Sequence, residues 1–174
     1  ASIHGLPVKP VDGFIQRWSE IEARAIAKDG DMDFVTVGAG AGGVELTLSI
    51  QHRLSKTLKC AQPRFHILSQ NHTPLPAHAP RVQATLLRTL QERGITLHTA
   101  KAANAVHESY VECHDGDKLA ADVTIITTQA SAAPWLQETG LALDTAGFIE
   151  VGPTLQSTSD NRVFACGDIA SFTP

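Results

Sequence analysis

The sequence is poor in the features that announce most specialised classes. Its three cysteines, Cys60, Cys113 and Cys166, lie far apart, and none forms a C-x-x-C pair. That spacing excludes a zinc knuckle and a local redox disulfide, and the odd count suits a reducing, cytoplasmic setting. There is no basic excess: 18 acidic against 14 basic side chains leave a net charge of −4 over 174 residues. A nucleic-acid binder needs the opposite balance to displace counterions from phosphates. No apolar run approaches the ~20 residues that span a bilayer. No charged-then-apolar leader opens the chain, so no signal peptide is expected. The eight histidines show no H-x-x-x-H spacing, and no metal site is expected. Ser131 lacks the G-x-S-x-G surroundings of a hydrolase nucleophile.

What remains is an ordinary globular composition, with 43% hydrophobic and 18% charged residues. The length suits one domain, or a piece of a longer protein. A chain of this size buries roughly 70% of its unfolded surface without metal or disulfide support. The stretch Ala1 to Pro10 reads as an extended connector. Phe14, Trp18, Ile21 and Ala25 then recur at helical spacing and predict a helix ending near Gly30. Asp33 to Val37 is a β-rich run that stops at a glycine cluster. The residues after it alternate like a strand, but the segment runs unbroken to Leu54, and that length predicts a helix. A strand follows at Arg64 to Ser69, then a proline-rich loop from Thr73 to Pro80. Val82, Leu86 and Leu90 predict the next helix, with Gly94 as its C-terminal stop.

Ile95 to His98 is a further strand. Short β pieces surround a turn at Asp115-Gly116, and Asp122 to Ile126 is again a strand. A hairpin near Gly147 and a last strand at Val163 to Ala165 complete the expectation. Alternating strands and helices predict an α/β fold with a parallel sheet flanked by helices and a short antiparallel meander.

The chemistry concentrates at Gly38-Ala39-Gly40-Ala41-Gly42-Gly43, a G-x-G-x-x-G string between a predicted strand and a predicted helix. Gly38 would allow the tight turn, Gly40 the approach of a pyrophosphate, and Gly43 close packing of helix on strand. The helix's first N–H groups and its dipole favour a bound anion. A strand-to-helix turn without ligand is the plainer reading. One partner is missing, because the next strand ends Ser69-Gln70-Asn71, with no acid for a ribose 2′-hydroxyl. No arginine follows closely to accept a 2′-phosphate either; Arg81, beyond the proline loop, is the nearest downstream. Glu45 is expected in the helix's first turn, either complementing the dipole or standing near a cofactor's reacting end.

Near the end, Val163-Phe164-Ala165-Cys166-Gly167-Asp168 would carry Asp168 at a strand's carboxyl end or, as an aspartate after a glycine, in a routine turn, with Cys166 as a small buried hydrophobe. His66, His72 and His78 read as surface or loop residues, and Trp18 and Trp135 as packing anchors. Cys113 and His114, adjacent on a strand, point to opposite faces and form no catalytic pair. A methyltransferase glycine loop is disfavoured: Thr36-Val37 precede the glycines where that class carries an acid.

With these strings in place, the chain resembles the pyridine nucleotide-disulfide oxidoreductase superfamily, and most of all its type II NADH dehydrogenase branch. The matching segments are Val35-Thr36-Val37 running into GAGAGGVEL, the PLP at 74 to 76, and NRVFACGDIA at 161 to 170. The resemblance implies a Rossmann-like NAD(P)-binding domain over 31–136, inserted into a split FAD-binding domain. Residues 1–30 would be a connecting segment with one helix, and 137–174 the return into the FAD domain.

The implied cofactors are FAD, in the full-length protein, and NAD(P)H. The implied cofactor-binding residues are Gly38, Ala39, Gly40, Ala41, Gly42, Gly43, Ser69, Gln70, Thr128, Gln129, Gly167 and Asp168. Glu45 would be the catalytic residue near the flavin and nicotinamide rings. Ser69 stands where NADH-using members carry glutamate, and Gln129 where many carry a strand-end glycine. The implied activity is hydride transfer from NAD(P)H to flavin, completed by the remainder of the FAD domain and passed to a small-molecule acceptor. The upstream FAD glycine motif is absent, so an isolated chain of this length is expected to be inactive. The alternative is a degenerate, non-catalytic nucleotide-binding or regulatory module. The opening PVKPVDGFIQRW, residues 7–18, is also similar to flavoprotein modules fused to selenide, water dikinase.

Overall fold

The computed structural model describes residues 4–9, 11–28, 31–58, 63–75, 78–128 and 132–172. The chain divides into two compact units, Ala1–Thr128 and Gln129–Pro174.

The first unit is built on five parallel strands: β1 (Gly5–Pro7), β2 (Asp33–Val37), β3 (Arg64–Leu68), β4 (Ile95–His98) and β8 (Val123–Ile126). They lie in the order β1-β8-β2-β3-β4, every neighbouring pair parallel. Between them run the helices α1 (Val11–Ala27), α2 (Ala41–Thr57) and α3 (Pro80–Glu92). Within the stretch expected as a connector, Gly5–Pro7 form a strand that pairs with Thr124–Ile126. Pro7 is tolerated there because β1 lies at the sheet's edge, where a missing donor costs no second ladder.

Alternation along the strands sends two sets of side chains to opposite faces. Phe34, Phe65, Ile67, Ile95, Val123 and Ile125 pack with Ala25, Val44, Ile50, Leu54 and Leu90, so all three helices share one face. The Phe34 and Phe65 rings stack with centroids 5.2 Å apart. On the other face Val35, Val37 and Leu68 meet Val111, Cys113 and Ala121. That cover is the expected meander, β5 (Ala103–Val106), β6 (Tyr110–Cys113) and β7 (Lys118–Ala120), antiparallel throughout. Its turn carries Gly116 at positive φ. Lys101 grips the same turn through the carboxylates of Asp115 and Asp117.

The second unit closes on Leu136, Ile149, Val151 and Ala165. β9 (Ile149–Val151) pairs in parallel with β10 (Ala170–Phe172). The hairpin expected near Gly147 is present, with Leu143 bridging Ile149 and the Asp144 carboxylate accepting from the Ala146 and Phe148 N–H groups. The strand expected at Val163 to Ala165 is not formed. That segment makes one bridge, Gln156 to Phe164, and its backbone bonds go to the turn at Leu155 and Ser157. The partner of β9 comes later in the chain, at β10. Cys166 is consequently exposed and not buried, because the chain leaves that bridge and turns through Gly167 at φ +69. Trp135, expected to anchor packing, is 57% exposed; Trp18 does pack on the first unit's core.

Candidate functional site

From β2 the chain moves one way to β3 and β4, and later returns on the other side as β8. The carboxyl ends of β2 and β8 therefore flank a topological switch point, where parallel α/β sheets open a crevice. The glycine string lies there. Gly38 leaves β2 at φ +116, a conformation that side chains disfavour. A Cβ at Gly38 would lie 2.7 Å from Thr127 Oγ1, and one at Gly43 only 2.1 Å from the Gly38 carbonyl oxygen. The first and last glycines of the string are thus required by close approach of strand, helix and β8.

Gly40 and Gly42 differ: a Cβ at either meets nothing within 4 Å. Gly40 is the N-cap of α2 and offers no side-chain cap. The first N–H groups of the helix thus have no side-chain cap, and an uncapped helix start is the arrangement that receives an anion. Ala39 is buried and Ala41 exposed. Beneath the loop, the buried hydroxyls of Thr36 on β2 and Thr47 on α2 are 2.7 Å apart, and Thr47 also donates to the Gly43 carbonyl. This pair ties the helix start to the strand. A buried hydroxyl left without such a partner costs about 1–3 kcal/mol.

Glu45 is exposed, in the second turn of α2 and not the first, because the helix starts at Ala41. The dipole effect fades within the first turn, so dipole compensation explains Glu45 less well than the sequence suggests. Ser69 follows β3 and is 2% exposed. Its hydroxyl donates to the Asn71 carbonyl and accepts from the Asn71 N–H. Its backbone is sewn to the loop after β4 through His98 and Lys101. Of the expected pair, only Gln70 presents an exposed side chain. Thr128 is exposed, and its backbone nitrogen lies 3.4 Å from a Cβ built at Gly38. Gln129 lies outside the described residues. Gly167 and Asp168 are exposed in a 3-10 turn of the second unit, not at a strand's carboxyl end.

Three contributors escaped the sequence reading. Thr127 Oγ1 lies 3.0 Å from the Val37 carbonyl oxygen and 3.2 Å from that of Gly38. Leu75, buried at φ +49, donates its N–H to the Ala39 carbonyl across 3.3 Å. Gln83 on α3 donates to the carbonyls of Leu75 and His78, holding the loop that meets the glycines. Such contacts leave no periodic trace; the PLP string alone marked this loop.

His66 is not a surface or loop residue. It sits within β3, half-buried, with Nδ1 3.1 Å from Nε2 of His98 on β4. Among the described residues no group of three or more side chains could hold a metal, and no helix is long and apolar enough to cross a membrane.

Sheet order and the glycine turn at the switch point define the class as a Rossmann-like α/β protein. The sequence profile of the pyridine nucleotide-disulphide oxidoreductase family matches residues 3–174, and the chain belongs to that family. It is 24% identical over 155 residues to a type II NADH:quinone oxidoreductase of Haemophilus influenzae, covering 84% of this chain and 35% of that protein. Thus it spans about a third of the length of this curated relative.

Among solved structures, it resembles an NAD-dependent persulfide reductase from A. fulgidus, with TM-score 0.74, 17% identity, and coverage of 97% of this chain and 30% of that one. It also resembles the reductase–putidaredoxin covalent complex, with TM-score 0.72, 20% identity, and coverage of 98% and 39%. For the NDH2 of Plasmodium falciparum bound to NADH the TM-score is 0.69, with 14% identity and coverage of 98% and 40%. At these identities the structural likeness concerns the fold.

Proposed function

We propose that this chain is the NAD(P)-binding portion of a longer FAD-dependent pyridine nucleotide oxidoreductase. The observation that carries the reading is the glycine turn at the switch point. It is closed by contact at Gly38 and Gly43 and open at Gly40 and Gly42. That combination fits a dinucleotide's pyrophosphate, which needs backbone donors and no intervening side chain. Gly38 to Gly43, including Ala39 and Ala41, would hold the pyrophosphate. Gln70 would face the adenosine ribose, with Ser69 shaping the turn beneath it. Thr128 would line the crevice at the end of β8, and Gln129 is the next residue proposed to contact the cofactor. Glu45 would stand toward the reacting rings.

When bound, the nicotinamide supplies a hydride that a flavin accepts. The protein's share is to orient the cofactor and exclude water. Gly167 and Asp168 would belong to the flavin side, within the return segment 137–174, while 31–136 would form the nucleotide domain and 1–30 its connection. Family membership supports the pairing of flavin with NAD(P)H, as does the NADH-bound relative among the similar structures.

Titration calorimetry of this chain with NADH and NADPH tests the reading. Binding of micromolar strength or weaker is expected, and no heat for either up to millimolar ligand sinks it. One observation favours a second reading, a nucleotide-fold module without catalysis: Ser69, in the place of the ribose-binding acid, turns its hydroxyl into its own loop. In that case the longer protein purifies without flavin and oxidises no NAD(P)H.

A further inference from the structure

Thr127, the residue after β8, holds the glycine turn from the neighbouring strand. Its N–H donates to the Val37 carbonyl at 3.0 Å. Its hydroxyl lies within reach of two acceptors, Val37 O at 3.0 Å and Gly38 O at 3.2 Å. The hydroxyl has one proton to give. Val37 O already has the Thr127 N–H, so Gly38 O is the acceptor with most to gain.

That carbonyl is the one against which Gly43 packs, since a Cβ at Gly43 would lie 2.1 Å from it. The Gly38 N–H meanwhile donates to Leu68 O at the end of β3, across 3.0 Å. The first glycine is therefore tied on its N–H side to one strand and on its carbonyl side to another. At φ +116 it has no side chain to resist rotation of the following peptide, and glycine reaches alternative conformations cheaply. Among the described residues, the hydrogen bond from Thr127 and the close approach of Gly43 hold the direction of its carbonyl.

We propose that Thr127 is a positioning residue of the nucleotide site: its hydroxyl sets the Gly38 peptide, and so the N–H groups of the α2 first turn that receive the pyrophosphate. This rests on the proposed binding of a dinucleotide at the glycine turn. Thr127 acts through Gly38 and is not itself a ligand of the phosphate.

Two substitutions separate the hydroxyl from the shape of the side chain. Thr127→Val keeps the branched volume and removes the proton; Thr127→Ser keeps the proton. Calorimetry with NADH should show Kd rising about tenfold in Thr127→Val, the size of one hydrogen bond of ordinary strength, and returning to near the parent value in Thr127→Ser. Amide hydrogen exchange in the ligand-free chain should quicken in Thr127→Val alone at Gly38 and Val44, whose N–H groups are hydrogen-bonded to Leu68 O and Gly40 O. Equal affinity in parent and Thr127→Val, or a serine variant as weak as the valine one, overturns the proposal. Unchanged loop exchange in Thr127→Val sinks the assignment even where the parent binds NADH. A parent chain that binds neither NADH nor NADPH instead overturns the dinucleotide reading and the ligand half of this proposal. The exchange data then still decide whether Thr127 pins the turn.

Discussion

A methyl group added at Gly43 would sit 2.1 Å from the Gly38 carbonyl oxygen, whereas one added at Gly42 meets nothing within 4 Å. The same chemical change at adjacent positions should therefore act in opposite directions. Gly43→Ala forces backbone apart in a packed turn and is expected to lower stability by roughly 1–3 kcal/mol. Gly42→Ala fills open space at a helix start and should be neutral or stabilise, by at most about 1 kcal/mol. Urea unfolding of both variants checks this, and equal destabilisation would contradict the geometry. The motif string marks 38, 40 and 43 as special, so this much is legible in the sequence. It does not reveal that Ser69 turns inward while Gln70 stays out, since that depends on the bonds of Ser69 to Asn71 and of its backbone to His98 and Lys101.

Between elements, the least expected feature is the line of ionisable groups across β2, β3 and β4. Arg64 clasps the Asp33 carboxylate through two nitrogens, at 2.6 and 2.8 Å, and this hydrogen bonding holds the carboxyl below its usual range. His66 Nε2 lies 3.7 Å from the same carboxylate. Burial nonetheless pushes the His66 imidazole down, outweighing the pull of Asp33, and Arg64 adds to the depression. His98 is lowered by burial too, with His66 and Lys101 adding repulsion. All three groups bind protons less readily folded than unfolded, so their contribution is complete above the ordinary histidine pKa of about 6.5. It declines as pH falls below that value, the histidines acting first and Asp33 only below about pH 4.

The urea midpoint should be flat between about pH 7 and 8 and lower at about pH 5.5, and His98→Gln should lessen that drop. An identical drop in the variant would assign the pH dependence elsewhere. Element by element, the sequence reading succeeds where helical periodicity is clear, as in α3, where unbroken length decides, as in α2, or where a β-rich run meets glycine, as in β2. It fails at Val163 to Ala165, whose β-rich composition finds only one bridging residue. It also leaves β1 as a mere connector, because three residues beside a proline carry no pattern until β8 supplies the partner.

For the whole molecule, the chain covers between 30% and 40% of the relatives compared. Its two compact units differ in what they carry: the first has the glycine turn, the second only Gly167 and Asp168 among the expected flavin contacts. The 174-residue chain purified alone should carry no flavin and oxidise no NADH with an artificial acceptor. The longer protein proposed above should carry flavin and oxidise NADH, and Asp168→Ala within it should lower flavin content measured by absorbance. A flavin-loaded 174-residue chain would overturn this division of labour.

The sequence by itself determined the alternation of strands and helices, the parallel sheet and the place of the glycine turn. These follow from local periodicity and from backbone conformations that only certain residues tolerate. The tertiary structure alone decided the pairing of β1 with β8 and of β9 with β10, the sharing of one sheet face by three helices, and the convergence of Thr127 and Leu75 on the glycine turn. Each of these joins residues distant in sequence through a hydrogen bond or a close approach. Such a contact is specified by two positions at once, and neither position shows it alone.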